Sequence, residues 1–212
     1  MSAPPTQGLD VAHPRTPARD LALIAVFAGV TAALGLIPAF YTPFSPAPIT
    51  AQSFGIILAG AILGGRRALL SQLLFIALVA IGLPLLAGGR GGIGVFASPT
   101  VGFLVGYVVC AGAIGWATYR KGAPYSIGWG LLINVLGGMV LMYAFGLTGM
   151  MAVAHLSLVA AIAANVPYLI GDAIKVVAAT LIAKGVHAAY PGLLPWRGTR
   201  PGADDATQGV QA

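Results

Sequence analysis

With 58% hydrophobic and only 8% charged side chains among 212 residues, the chain has too little charge to coat a water-facing surface, where about 25% is usual. Its formal net charge of +6 is scattered in basic pairs with no basic stripe or aromatic platform, which excludes a nucleic-acid surface. One cysteine, Cys110, supports neither a disulfide nor a metal cluster and reads as inert packing.

Apolar runs of spanning length make this an all-α, polytopic membrane protein. Residues 1–18, with four prolines and two charged side chains, read as a disordered cytoplasmic tail. No apolar stretch precedes the first helix, which therefore reads as an uncleaved span. That span is expected over Asp20 to Ile37, ended by Pro38. Ala25 with Gly29 and Ala28 with Ala32 are small-x-x-x-small pairs, a pattern of close helix contact. Residues 38–50 carry four prolines with Phe40, Tyr41 and Phe44. They read as an ordered loop at the membrane mouth, its aromatics either interfacial anchors or the lid of a site.

Pro48-Ile49-Thr50-Ala51-Gln52 opens a second span that ends at Gly64-Gly65, with Arg66-Arg67 expected as the turn. A third span is expected from Ala68 to Leu83, stopped by Pro84. Next comes Gly88-Gly89-Arg90-Gly91-Gly92. Its glycines can allow close approach of a ligand and turn backbone N–H groups toward an anion, or make a loose loop. Pro99-Thr100 opens a fourth span to Tyr119. A fifth is expected over Tyr125 to Phe145, where Asn134 reads as an interhelical hydrogen bond. Residues 146–164, with His155 and Ser157, are expected as a short interfacial helix and loop or, alternatively, as a partial seventh span. The sixth span runs from Asn165 to His187, and a second disordered tail follows from Pro191. The spans form a single domain over residues 19–190.

Asp172 and Lys175 stand inside the sixth span. Each costs about 2.5 to 3.5 kcal/mol at a helix centre in a bilayer. Their i, i+3 spacing puts them on one face, where they offset each other. The bland reading is a pair that locks two helices; the sharper one is a site. With both termini in the cytoplasm and six spans, every basic residue except Arg90 falls on the cytoplasmic side. Arg90, the proline loop and the start of the sixth span then share the outer face. Two cations and one anion converge there, which suits a small molecule with a carboxylate and a neutral polar group.

These motifs resemble a known family. Pro48-Ile49-Thr50-Ala51-Gln52 is similar to its Pro-Val-Thr-Leu-Gln signature. Gly60 to Arg67, Ile81-Gly82-Leu83-Pro84, the Gly-Gly-Arg-Gly-Gly loop, Pro99-Thr100-Val101-Gly102-Phe103 and Gly171-Asp172-Ala173-Ile174-Lys175 follow in the family's order. The whole, from about Ala22 to Val186, resembles the biotin-specific S component (BioY family) of energy-coupling-factor transporters. The resemblance implies a six-helix S-component fold that takes biotin from outside, and contacts to biotin from Asp172, Lys175 and Arg90. Arg90 departs from the polar residue, often Asn, usual there, and Val101 from the usual Gly. Gln52, Gly89, Gly91, Gly92, Tyr41, Phe44, Thr100 and Tyr168 complete the expected binding set. Implied partners are a membrane coupling subunit, docked on Ala25, Ala28, Gly29 and Ala32, and a pair of cytoplasmic ATPases. No cofactor is implied.

The ureido N–H groups of biotin suit Asp172 and its valerate suits Arg90; the opposite polarity, with the carboxylate on Lys175, stays open. The chain has no Gly-x-x-x-x-Gly-Lys-[Ser/Thr] motif for ATP. Alternatives are an S component for another vitamin, a stand-alone biotin permease, or an intramembrane enzyme. For the last, Ser71 and Ser157 lack a nucleophile-elbow context, His155 is the lone histidine near the outer face, and one Cys with three scattered His does not make a zinc site.

Overall fold

The computed structural model describes residues 17–195 apart from 42 and 44. The described chain is helical, its only β-type pairing being two isolated bridges. In order come α1 (Pro17–Leu34), α2 (Gln52–Leu63), α3 (Gly65–Ala80), a 3₁₀ turn (Ile93–Ala97), α4 (Val101–Lys121) and α5 (Ile127–Val135). A π turn (Leu136–Leu141) joins α5 to α6 (Met142–Ala154), and α7 (Leu158–Asn165) precedes α8 (Tyr168–Ala189).

Three helical segments are long and apolar enough to cross a bilayer: Pro17–Leu34, Val101–Lys121 and the continuous Ile127–Ala154. The pair α7 and α8 is a fourth, bent by 57°. By contrast α2 has 12 residues and α3 has 16. At 1.5 Å per residue these reach about 18 and 24 Å, short of a hydrocarbon core of about 30 Å. The shortfall lies at one end of the bundle, where residues 35–51 and 81–100 fold over the helix ends and leave a cavity.

Several boundaries differ from expectation. Arg66 and Arg67 are not the turn: Gly64 alone links α2 to α3, and both arginines lie in the first turn of α3. Arg67 pairs with Asp20 of α1 at 2.8 Å, so this corner is closed by a salt bridge. The fifth span does not stop at Phe145. The π turn keeps its backbone bonded, and the helix continues to Ala154, absorbing half of the expected interfacial segment. His155 then ends it in the left-handed region (φ 53°), and Ser157 caps α7 by accepting from the Ala160 N–H at 3.2 Å. Helix α1 begins at Pro17, inside the expected tail. At the other terminus Pro191–Leu193 makes a 3₁₀ turn and the Pro195 carbonyl accepts from the Ala123 N–H at 2.9 Å. The rest of both expected tails lies outside the described residues.

The core runs along α2, α3, α4 and α8, with Ile56, Ile57, Phe75, Val79, Ile114 and Val176 buried. In lipid, apolar surface alone does not drive helices together, so close backbone packing must. At the α4–α6 crossing a side-chain carbon on Gly102 would collide with the Phe145 carbonyl, and one on Gly149 would sit 2.8 Å from the Gly102 Cα. This approach sets Leu104 and Tyr107 of α4 opposite Met142 and Tyr143 of α6.

Candidate functional site

A cavity of about 640 Å³, including its open mouth, lies under the long loops. Its lining, apolar walls with a few convergent polar groups, is of the kind that small-molecule sites have. Of the residues expected at a site, Gln52, Arg90, Thr100, Tyr168, Asp172 and Lys175 line it. The wall is completed by Pro48 to Thr50, Ser53, Phe103, Tyr107, Met142 and Tyr143.

The floor is built on α8 and the first turn of α2. Lys175 Nζ donates to Asp172 Oδ1 at 2.8 Å, to the Thr50 carbonyl at 2.7 Å and to Ser53 Oγ at 2.9 Å. An ammonium has three N–H groups, so all of its protons are engaged. Asp172 Oδ2 accepts from the Tyr143 hydroxyl at 2.6 Å, and Ser53 Oγ lies 3.4 Å from Oδ1. A carboxylate has about four lone-pair sites, so Asp172 keeps acceptor capacity toward the cavity. The pair is nearly buried, with side-chain exposures of 17% for Lys175 and 10% for Asp172. Its charges cancel, which leaves Arg90 to set the sign of the cavity as positive.

Arg90 is held by a tight turn. Leu86 and Arg90 exchange backbone hydrogen bonds of 3.0 and 3.2 Å. Gly88 and Gly89 make the reversal at φ 79° and 69°, a region that side chains avoid. The loop is therefore an ordered hairpin. Two further N–H groups of the loop are spent within the protein: Gly92 on the Val79 carbonyl and Ala87 on Gln52 Oε1, at 2.8 and 3.0 Å. Gly89, Gly91 and Gly92 do not line the cavity; they shape the turn that presents Arg90. The Arg90 Nε–H donates to the Ala87 carbonyl at 3.3 Å, which orients the guanidinium.

Gln52 is 1% exposed, and its amide faces the protein. Nε2 donates to the carbonyls of Thr31 and Leu85 at 3.2 and 3.0 Å, and Oε1 accepts from Ala87. It ties α1 and the Arg90 hairpin to the start of α2, so its part in the site is to position the hairpin. The Tyr168 hydroxyl donates to the Ala47 carbonyl and meets Ser45 Oγ, pinning the proline loop over the start of α8. Thr100 is buried, with its hydroxyl 2.8 Å from that of Ser98. Tyr41 is exposed and lies outside the cavity, its hydroxyl against Gly88. Phe44 lies outside the described residues.

Ser53, Tyr107 and Tyr143 were not expected at the site. Ser53 follows Gln52 directly, and the first turn of α2 was the available signal. Tyr143 was hidden by phase. At about 100° per residue an ideal helix puts it opposite Asn134, and the π turn between them takes up extra backbone and rotates it toward the cavity. The expected docking set divides as well. Ala28 is buried and Ala32 packs on the core, whereas Ala25 and Gly29 are exposed. Ala28 therefore serves the α1 packing and is closed to a partner. Among the described residues no cluster of His, Cys, Asp or Glu is set to hold a metal ion.

Three comparisons bear on this site. The BioY family matches residues 6–192. A biotin transporter BioY of Rhizobium etli is 44% identical over 185 residues, covering 84% of this chain and 98% of that protein. One from Rhodobacter capsulatus is 43% identical over 190 residues, covering 85% and 99%. Among solved structures, the S-component for biotin from an ECF-type ABC transporter superposes with a TM-score of 0.76 at 27% identity, covering 81% of this chain and 92% of that one.

Proposed function

Because the chain belongs to the BioY family, we infer that it captures biotin as the substrate-binding membrane subunit of a vitamin uptake system. It is a multi-pass protein of the prokaryotic cell membrane and a transporter component, not an enzyme. Its partners are those of an ECF-type transporter, a membrane coupling subunit and ATPases.

The finer reading assigns six traverses to α1, α2, α3, α4, the α5–α6 rod and α8 within a single domain over 19–190. Both termini are cytoplasmic. Its support is that Arg19, Arg66, Arg67, Arg120, Lys121 and Lys184 then fall at one end, with Arg90 at the other. Ala25 and Gly29 form the exposed small-residue face that docks the coupling subunit.

The orientation of biotin rests on one observation: Lys175 has no N–H left for a carboxylate. The ureido ring therefore takes the floor, donating to the open lone pair of Asp172. Lys175 acts through Asp172, holding its carboxylate in place. The valerate points to Arg90, whose terminal N–H groups match a carboxylate fork. Tyr107, Phe103 and Tyr143 flank the ring, and Gln52, Gly89, Gly91, Gly92 and Tyr168 keep the walls in place.

The test is calorimetric titration of the purified protein with biotin and with biotin amide, whose side chain is uncharged. Thiamine and riboflavin serve as controls for ligand class and are expected not to bind. Arg90→Ala should weaken biotin by about 10- to 100-fold, the value of a hydrogen bond between charged groups, and leave the amide nearly unchanged. Equal losses for both ligands would place the carboxylate elsewhere.

A further inference from the structure

Away from the cavity, an apolar groove runs between α4 and the α5–α6 rod on the basic half of the molecule. It measures about 750 Å³ including its open side. Ile114 and Gly137 are buried at its base, and the exposed Trp116, Leu136 and Val140 stand at its edges. From Ile133 to Ala144 the rod gives it a length of about 16 Å at the helix rise. That is half the hydrocarbon thickness of a bilayer, or one leaflet.

The basic end of the groove is chemically distinct. The Arg120 guanidinium lies 5.0 Å from the centre of the Trp116 ring, and Lys121 Nζ lies 5.7 Å from that of Trp129. The Trp129 indole N–H reaches the Ala117 carbonyl at 3.4 Å, bridging the two helices at this end. Indoles at this level are interfacial groups, and cations over their faces are held near the headgroup region. Among the described residues the only acidic side chains are Asp20 and Asp172, and these pair with Arg67 and Lys175. Among the described residues, then, no carboxylate is left to match Arg120 and Lys121.

We propose that this groove is a lipid site: it takes one acyl chain of an anionic phospholipid from the leaflet on the basic side, with the headgroup phosphate on Arg120 and Lys121. The length fits one chain in one leaflet, the lining is apolar, and the cations supply the charge complement at the depth where a phosphate lies. This does not depend on the identity of the ligand in the cavity.

Native mass spectrometry of the full-length protein with phosphatidylglycerol or phosphatidylcholine of identical chains tests it. Phosphatidylglycerol should be retained at least about tenfold better, given the attraction of two surface cations for an anionic headgroup. The double substitution R120Q and K121Q should erase the preference. Ala117→Phe, which fills the groove, should remove the selective adduct, with unchanged biotin binding as the check on folding. If Ala117→Phe disturbs α4, Val140→Trp narrows the groove from the lipid side and should act alike. Equal retention of the two lipids by the unaltered protein overturns the proposal. So does a preference that survives the charge substitutions, or one that survives in a folded groove-filled variant.

Discussion

Helix α8 carries two polar stations, one at the cavity and one two turns and more below it, and they are built on different terms. At the first, Asp172 and Lys175 are charged, and their bonds reach α2 and α6 as well as each other. At the second, Thr180 accepts from Asn134 Nδ2 at 2.9 Å, and His187 Nε2 meets the Ala61 carbonyl at 2.8 Å with its ring stacked on Tyr125 at 5.0 Å. There Asn134 Oδ1 and His187 Nδ1 make no protein bond. Tyr125, in the loop before α5, has its phenol pushed above the ordinary value by burial and stays neutral at physiological pH. A charge in a membrane calls for a counter-charge, as Asp172 and Lys175 supply to each other, whereas neutral groups need none. With the pair's charges cancelled and every Lys175 proton engaged, the ligand meets a fixed geometry and little has to rearrange on binding.

The sharpest way to break this comparison is Lys175→Ala. It leaves Asp172 buried without its counter-charge, a change that costs about 3–5 kcal/mol where a buried pair is broken. We expect biotin affinity to fall by at least about 100-fold in calorimetric titration. Asp172→Asn should lose binding by removing the charge and turning one of the two acceptor oxygens into an N–H donor. Near-unaltered affinity in both variants would make the upper station a structural lock like the lower one. The double variant should recover stability relative to either single one, since no lone charge is left, but should not recover binding.

Gln52→Ala comes next, because it removes three hydrogen bonds of the turn-holding network. At about 1 kcal/mol each this lowers stability by roughly 2–3 kcal/mol in thermal unfolding, and freeing the Arg90 hairpin lowers biotin affinity by about tenfold. A variant that loses affinity but not stability would assign Gln52 to direct ligand contact. Tyr143→Phe is expected to be milder. It removes one hydrogen bond to a carboxylate, worth about 1.5–3 kcal/mol when intact. Part of that returns because the freed lone pair can accept from the ligand, so a loss of about threefold to tenfold is expected.

The costly residues were the legible ones. Asp172, Lys175 and Arg90 stand out in an apolar chain because nothing but function or pairing repays their presence in a membrane. All three do meet at one cavity. Asn134 was also readable as an interhelical bond, and its partner is Thr180. Neutral hydroxyls gave no such signal: Ser53 and Tyr143 are cheap anywhere in a helix. Gln52 was visible as part of a motif, but its direction toward the protein depends on where the Leu85–Arg90 turn comes to rest. The six-residue π turn at 136–141 left no mark in hydropathy either. Its effect was to lengthen the fifth helical segment to Ala154 and to re-aim Tyr143. The two-way division of the α1 small residues is not set by helical phase: at about 100° per residue Ala32 lies about 40° and Ala25 about 60° from Ala28, yet Ala25 is exposed and Ala32 is half-buried.

The smallest expected effect is the control for the comparison. Asn134→Leu removes the bond to Thr180 and an amide with an unused oxygen, and replaces them with an apolar side chain of similar size. Interhelical hydrogen bonds in a membrane average about 0.6 kcal/mol, and removing a partly satisfied polar group returns some of that. Thermal stability should fall slightly, by less than about 1 kcal/mol, and biotin affinity should stay within about twofold. A large loss of affinity would mean that the two stations of α8 act as one unit, with the lower seam coupled to the cavity. A gain in stability would mean instead that the lower station is held for something other than packing.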